Sequence, residues 1–185
     1  MDQPLGLAVG NALEVTESVE VLAGGGPPDV VEVTLALARR MVELAGGDVD
    51  PATVVADGSA MDRWNRMIRA QGGDPSATLP TATEVETVHA PTAGFVRRID
   101  ARKVGEAAWR LGAGRARKED PVSPSAGVVL RAVAGDRVAA GTPLFDVHLD
   151  DTARLAAALD ALDGAVEIGD VPPDPRVLIH EQIDA

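Results

Sequence analysis

Apolar positions recur with a helical period through the first part of the chain. The clearest stretch follows Asp29, where apolar residues three or four apart form one stripe on a helix: Val30, Val33, Leu37, Met41 and Leu44. A second apolar face on this stretch is typical of a helix buried between neighbours. Similar spacing after Asn11 predicts an earlier helix. Asn11 can cap this helix, and Glu14, three residues on, completes a pair like that of a capping box. We expect a loop over residues 1–10 and an interrupted third helix from Asp50 to about Gln71.

The period of the pattern becomes that of a β-strand near residue 80. Alternation at Val85, Thr87 and His89 predicts one strand. Further strands are expected near residues 126–133, 144–148, 165–168 and 177–179, with a helix over about 152–162. The fold class is therefore α+β. We expect a helical segment, residues 1–80, followed by a small α+β domain, residues 81–185.

The stretch from Gly94 to Asp120 carries three local signals in succession. An apolar run predicts a strand, and Asp100 then offers a carboxylate to the first N–H groups of a helix. The helix has one apolar stripe, from which Trp109 is displaced: Val104, Ala107, Ala108 and Leu111. Gly112 can adopt the left-handed conformation that ends a helix, and a charged loop follows.

Composition and charge exclude several classes of protein. The formal net charge is −12, so binding to a phosphate backbone is disfavoured and no nucleic-acid partner is expected. No apolar run is long enough to span a membrane, and the first residues lack the basic start of a secretion signal. The chain has no cysteine and only 2% aromatic residues, which predicts a cytoplasmic protein with an aliphatic core.

Few residues suggest chemistry directly. The three histidines are His89, His148 and His180, and we expect structural or surface roles for them. Only His148 has carboxylates on the same strand face, at Asp146 and Asp150, which is a weak metal signal. Arg115, Arg117 and Lys118 could bind an anion beside the Gly112–Gly114 turn. The alternative is a solvated basic loop paired with Glu119 and Asp120.

The segment VGEAAWRLGAGRARKEDPV resembles the C-terminal domain of thymidine phosphorylase and pyrimidine-nucleoside phosphorylase. The flanking segments VHAPTAGFVRRID and SAGVVLRAVAGDRVAAGTPLFDVH agree, and residues 1–46 are similar to a more central part of the same enzymes. The resemblance implies that the helical segment belongs to a larger α/β domain of the family. It also implies a homodimeric pentosyltransferase of pyrimidine salvage, which converts thymidine and phosphate to thymine and 2-deoxyribose 1-phosphate without an organic cofactor.

The resemblance also implies that the main reactant sites lie elsewhere. The family's phosphate loop and base-reading helix precede the region that this chain matches, so we expect no catalytic residue here and no activity of the chain alone. The chain would then be a naturally truncated product, an excerpt of a longer chain, or half of a split enzyme. The preference for thymidine or uridine stays open. Within the chain, the Gly112–Asp120 loop, with Arg115 and Lys118, is the candidate for a phosphate-facing or cleft-facing element.

One family site carries over in part. The relatives bind a monovalent cation, potassium, with two main-chain carbonyls and a glutamate. The matching positions are Leu5, Ala8 and Glu17. A loop before a helix offers free carbonyls, and a carboxylate two turns into the helix can fold back toward them. The alternative is that Glu17 is a solvated helix residue.

A second hypothesis is a non-catalytic binding module. Residues 88–100 and 126–148 loosely resemble the two halves of a lipoyl or biotinyl hammerhead domain. Carrier domains of that kind need a lysine at a hairpin tip. The chain has Lys103 in a predicted helix and Lys118 in the charged loop, so we expect a hammerhead-like shape without the carrier function.

Overall fold

The computed structural model describes residues 3–115 and 117–183 and divides into two compact units. The core unit contains the residues up to Val15 together with Leu79–Pro175. The helical unit contains Thr16–Thr78 and the residues from Arg176 onward. Helix α1, Asn11–Leu22, begins in the core unit and ends in the helical unit. The helical unit also contains three further helices: α2 (Pro28–Leu44), α3 (Pro51–Ala56) and α4 (Ser59–Ala70).

The core unit is built on two antiparallel sheets. Its strands are β1 (Ala8–Gly10), β2 (Glu84–His89), β3 (Gly94–Ile99), β4 (Gly127–Leu130), β5 (Arg137–Val138), β6 (Pro143–Leu149) and β7 (Val166–Gly169). The four-stranded sheet has the order β1-β4-β6-β2 and the three-stranded sheet the order β5-β3-β7. Two helices complete the unit: α5 (Ala101–Ala108), which continues as a π-helical turn over Trp109–Ala113, and α6 (Leu155–Leu162), which follows a 3-10 turn over Thr152–Arg154.

An aliphatic core fills the space between these elements. Strand β6 alternates, and its inward side chains Phe145, Val147 and Leu149 are fully buried. The predicted stripe of α5 is confirmed, because all four of its members are buried: Val104, Ala107, Ala108 and Leu111. The α+β class is confirmed as well.

Both ends of α5 follow the local sequence signals. Asp100 accepts hydrogen bonds from the backbone N–H groups of Arg102 (3.0 Å) and Lys103 (3.2 Å), as predicted for a cap. Gly112 has a φ of 104°, which an L side chain rarely adopts, and it breaks the helical geometry one residue before the run ends at Ala113. Trp109 is 45% exposed, in agreement with its position off the stripe.

The N-terminal residues differ from the prediction. Residues 8–10, expected in a loop, form β1 and pair with β4, and the N–H of Leu130 donates to the carbonyl of Leu7 at 2.8 Å. The two backbones approach closely because the crossing residues are glycines: a Cβ on Gly127 would lie 2.4 Å from the carbonyl oxygen of Val9. Sequence periodicity missed β1 because a three-residue strand is too short to show alternation.

Two further expectations are wrong. Residues 177–179, predicted as a strand, have no regular structure. Helix α2, whose two apolar faces indicated burial, contains no buried residue in the described chain. Its stripe is open, with exposed fractions of 60% for Leu37, 70% for Met41 and 75% for Leu44.

The β1–β4 pairing leads to a prediction about limited proteolysis. A protease of broad specificity should cut first between about Gly72 and Thr83, where the described chain has no helix or strand. The two products should then co-elute in native gel filtration, because β1 lies in one product and its partner β4 in the other. Separation of the products without denaturant would contradict the pairing. Whether residues 81–185 fold alone stays a prediction.

Candidate functional site

The charged loop between α5 and β4 is closed at its base by hydrogen bonds. The N–H of Ser123 donates to the carbonyl of Gly112 at 2.8 Å. The side-chain Nδ2 of Asn11 donates to the carbonyls of Ala113 (2.8 Å) and Ser123 (3.2 Å). We call residues 113–123 the basic loop. The contacts bring the first residue of α1 to both ends of this loop, which lie more than 100 positions away in sequence.

Trp109 lies against the start of the basic loop. Gly114 passes so close to the indole that a Cβ there would lie 2.9 Å from Trp109 Cδ1. Gly114 has extended backbone, with φ of −129°, so the close approach rather than backbone strain favours glycine at this position.

The cationic side chains of the basic loop have no carboxylate partner in the described chain. Arg115 donates to the carbonyl of Lys118 at 3.3 Å, and the backbone N–H of Arg117 donates to Asp120 Oδ2 at 2.8 Å. No ion pair within residues 3–115 and 117–183 joins the loop cations to Glu119 or Asp120. Arg115 and Lys118 are both exposed.

Asp150 anchors the turn that closes the basic loop. Its Oδ2 accepts from the hydroxyls of Ser123 (2.6 Å) and Ser125 (2.5 Å), and its Oδ1 accepts from the N–H of Thr83 at 3.2 Å. The Ser123 and Ser125 hydroxyls hold the pKa of Asp150 below its ordinary value, because hydrogen bonds to the carboxylate favour its charged form. Ser125 is only 5% exposed, so its hydroxyl needs this partner.

The role of Asn11 was not predicted. Asn11 was expected to cap α1, but the capping contact is made by Glu14, whose Oε1 accepts from the N–H of Gly10 at 2.8 Å. The Asn11 amide is therefore directed at the basic loop. The sequence pattern around Asn11 is that of a helix start, and nothing local indicates a partner so far along the chain.

The candidate cation ligands lie on three successive segments of the chain: a loop, β1 and α1. Leu5 is half-buried in the loop before β1, and Ala8 begins β1. Because Leu7 directs its carbonyl to β4, the Ala8 carbonyl points to the opposite side of the strand, away from β4. Glu17 is half-buried on α1, in the helical unit. The grouping of these three residues stays a prediction.

The histidines do not build a metal site. Among the described residues, no group of three or more histidine, cysteine or acidic residues is placed to hold an ion. Asp146, the neighbour of His148, accepts from Thr87 Oγ1 at 2.9 Å and lies 3.6 Å from Arg131 Nε. Burial lowers the pKa of His148, with Asp146 opposing the shift.

The family of the core unit follows from comparison with known proteins. Residues 95–169 match the family described as the pyrimidine nucleoside phosphorylase C-terminal domain. The match covers α5, the basic loop and Asp150.

This part of the chain is a pyrimidine nucleoside phosphorylase C-terminal domain.

Full-length relatives agree with this phosphorylase domain. A thymidine phosphorylase of Mycobacterium tuberculosis is 52% identical over 184 residues, which cover 99% of the chain and 43% of the relative. A pyrimidine-nucleoside phosphorylase of Bacillus subtilis is 41% identical over 160 residues, 80% of the chain and 37% of the relative. Another from Geobacillus stearothermophilus is 36% identical over 195 residues, 99% of the chain and 45% of the relative. The predicted family resemblance is confirmed, and the chain spans less than half the length of these relatives.

The phosphorylase domain holds both lysines of the chain. Lys103 lies on α5, where its Nζ donates to the carbonyl of Asp163 at 2.5 Å. Lys118 lies in the basic loop. Neither is in a turn that joins two paired strands of the described chain. The absence of a carrier function stays a prediction.

No helix in the described residues is long and apolar enough to span a membrane.

The hydrogen bonds of Asp150 predict a pH-dependent contribution to stability. Because its pKa is lowered on folding, the stabilisation is present above the unfolded pKa of about 3.9 and is lost as the pH falls through the folded pKa. Asp150→Asn should therefore lower the melting temperature by several degrees at neutral pH, and the difference from the unmodified protein should shrink below about pH 4. Melting curves between neutral pH and about pH 3 measure this.

Asp170→Asn is the matched control, since Asp170 is exposed and its carboxylate makes no hydrogen bond or ion pair within the described residues. It should leave the melting temperature unchanged at each pH. A difference between Asp150→Asn and the unmodified protein that stays constant with pH would contradict the charge-dependent anchor.

Proposed function

We propose that this chain is the C-terminal portion of a thymidine or pyrimidine-nucleoside phosphorylase. The observation that carries the proposal is the alignment of almost the whole chain, both units included, with a protein named thymidine phosphorylase. The complete enzyme would convert thymidine and phosphate to thymine and 2-deoxyribose 1-phosphate, as a pentosyltransferase of pyrimidine salvage. A phosphate oxygen forms the new bond to the sugar, the bond to the base breaks, and the base leaves with the electron pair and takes a proton.

Residues 1–185 alone are proposed to be inactive. Phosphorolysis requires several donors that hold phosphate and a site that stabilises charge on the leaving base. The candidate phosphate-facing cations, Arg115 and Lys118, are exposed side chains rather than part of an enclosed site. Losing positioning and electrostatic stabilisation together removes at least about a millionfold in rate.

The basic loop is proposed to face the reactants in the complete enzyme. Arg115 and Lys118 are exposed, have no carboxylate partner in the described chain, and lie on a loop with a fixed base. Unpaired cations raise the local concentration of anions even in a chain with net charge −12. We assign them a supporting role in attracting phosphate rather than a catalytic one.

The open face of α2 is proposed to pack against the rest of the enzyme. Leu37, Met41 and Leu44 form an exposed apolar stripe on this helix, and such a stripe is costly to leave in water. The alignment with relatives more than twice as long supports a further segment as the partner of this face. The complete enzyme is further proposed to be a cytoplasmic homodimer without an organic cofactor.

A monovalent cation, potassium, is proposed to bind at the start of α1. The ligands from this chain would be the carbonyls of Leu5 and Ala8 and the carboxylate of Glu17. The direction of the Ala8 carbonyl, away from β4, supports its part in such a site. The ion would hold the loop before β1 against the helix that follows it.

Complementation tests the proposed activity. Residues 1–185 alone should release no thymine from thymidine and phosphate above background, measured by absorbance. Co-expression with the segment of the Mycobacterium tuberculosis relative that precedes the aligned region should restore phosphorolysis, because that segment supplies the missing donors.

Matched variants of residues 1–185 test whether the complementing segment docks on the open face of α2. Leu37→Asp with Met41→Asp should prevent complementation, whereas Val133→Asp, in the core unit and 40% exposed, should not. Turnover by residues 1–185 alone would refute the inactive-fragment proposal. If the two segments associate in gel filtration but release no thymine, the proposed activity is refuted.

The cation site is tested by melting temperature in the complemented enzyme. Replacing tetramethylammonium chloride with potassium chloride at equal ionic strength should raise the melting temperature, since a ligand of the folded state stabilises it by mass action. Glu17→Gln should abolish this increase. Glu20→Gln, an exposed position on the same helix, should retain it. Equal responses of both variants would exclude Glu17 as a ligand.

A further inference from the structure

We propose that Asn11 is the positioning residue of the basic loop. Its side-chain amide holds the two ends of the loop together and fixes both to the first residue of α1. The contacts are seen directly in the structure. The functional consequence, that Arg115 and Lys118 are presented to an anion in a set position, rests on the proposed function.

The geometry of the loop base carries the inference. One Asn11 contact reaches Ala113, where the helical run ends, and the other reaches Ser123, on the far side of the loop. Between them the N–H of Ser123 donates to the carbonyl of Gly112 at 2.8 Å. The next residue of α1 adds a backbone bond, from the N–H of Ala12 to the carbonyl of Pro124 at 2.8 Å. The two ends of the loop are thus joined directly by one backbone hydrogen bond and by one bridging side chain.

The chemistry of the partners favours asparagine over other polar residues. The last carbonyls of a helix have no partner within the helix, and that of Ala113 belongs to this group. An asparagine amide has two N–H donors on one nitrogen, which matches two carbonyl acceptors. Aspartate has only acceptors when ionised and would face both carbonyls with like partial charge, and a serine hydroxyl has one donor.

The bridge explains how an exposed loop can have a defined base. Closing a flexible loop costs conformational entropy, and each contact at its ends offsets part of this cost. Without the amide, the bond between Gly112 and Ser123 would be the remaining direct link between the two ends of the loop, with Asp150 holding the Ser123 end alone. Arg115 and Lys118 would then sample a wider range of positions, and a phosphate ion would encounter them less often as a pair.

Hydrogen exchange at the Ser123 amide tests the bridge, because this N–H makes the backbone bond at the loop base. In Asn11→Ala of the full chain, exchange at Ser123 should accelerate roughly tenfold, the effect expected from losing two ordinary hydrogen bonds. Asn11→Asp should accelerate it further. Amides of β6, in the core, should keep their rates within about twofold. The matched control is Asn65→Ala, which makes the same change on α4 in the helical unit and should leave Ser123 unaffected.

Two results would overturn the proposal. The first is an unchanged exchange rate at Ser123 in Asn11→Ala. The second is acceleration at Ser123 and β6 by the same factor, which would make Asn11 a residue of general stability. If Asn11→Ala fails to fold, hydrogen exchange of the side-chain amides in the unmodified protein is the test. The Nδ2 hydrogens of Asn11 should exchange more slowly than those of Asn65, and equal rates would overturn the bridge.

A separate titration distinguishes this inference from the proposed function. Inorganic phosphate added to the complemented enzyme should shift the amide nuclear magnetic resonance signals of Arg115 and Lys118. Asn11→Ala should weaken this shift, and the loss should be larger than any decrease in melting temperature accounts for. Absence of any phosphate response, with exchange at Ser123 as expected, would refute the anion role and leave the bridge intact. A phosphate response with unchanged exchange in Asn11→Ala would retain the anion role and refute the bridge.

Discussion

The burial of strand β6 is the constraint on which the core unit depends. This strand pairs with β2 on one side and β4 on the other, and its inward side chains, Phe145, Val147 and Leu149, are almost completely removed from water. With aromatic residues at only 2% of the chain, the driving force comes from many small aliphatic contacts rather than a few large rings. Helix α5 contributes alanines at two of its buried positions, which allows a close approach of its backbone to the rest of the core.

Features that depend on neighbouring residues could be predicted from the sequence. The cap at Asp100, the stripe of α5 and its end at Gly112 each follow from side chains within a few positions, and all three are present in the structure. Strand β1 and the open face of α2 were predicted incorrectly. The pairing of β1 depends on β4, far along the chain, and the exposure of α2 depends on tertiary packing. Periodicity contains no information about either.

The residues of the candidate site also fall into those that could be predicted from the sequence and those that could not. Arg115 and Lys118 could be singled out because cations clustered beside glycines are visible in the sequence. Asn11 and Asp150 could not, since an asparagine before an apolar run and an aspartate after a strand are each common in purely local roles. Their importance arises from tertiary contacts. One turn, Ser123–Ser125, accepts a hydrogen bond from Asn11 at the start of α1 and donates two to Asp150, which follows β6. The cation ligands Leu5, Ala8 and Glu17 rest on family resemblance alone.

The close approach of Gly114 to Trp109 gives the basic loop an optical signal of its own. An indole that is 45% exposed and in contact with the loop backbone will change its emission when the loop moves away and water takes its place. The chain has two tryptophans, and the other, Trp64, lies on α4 in the helical unit. Replacing Trp64 with phenylalanine would leave a single fluorophore beside the loop. Any displacement of the loop from Trp109 could then be followed in real time, without a label, at concentrations far below those that nuclear magnetic resonance requires.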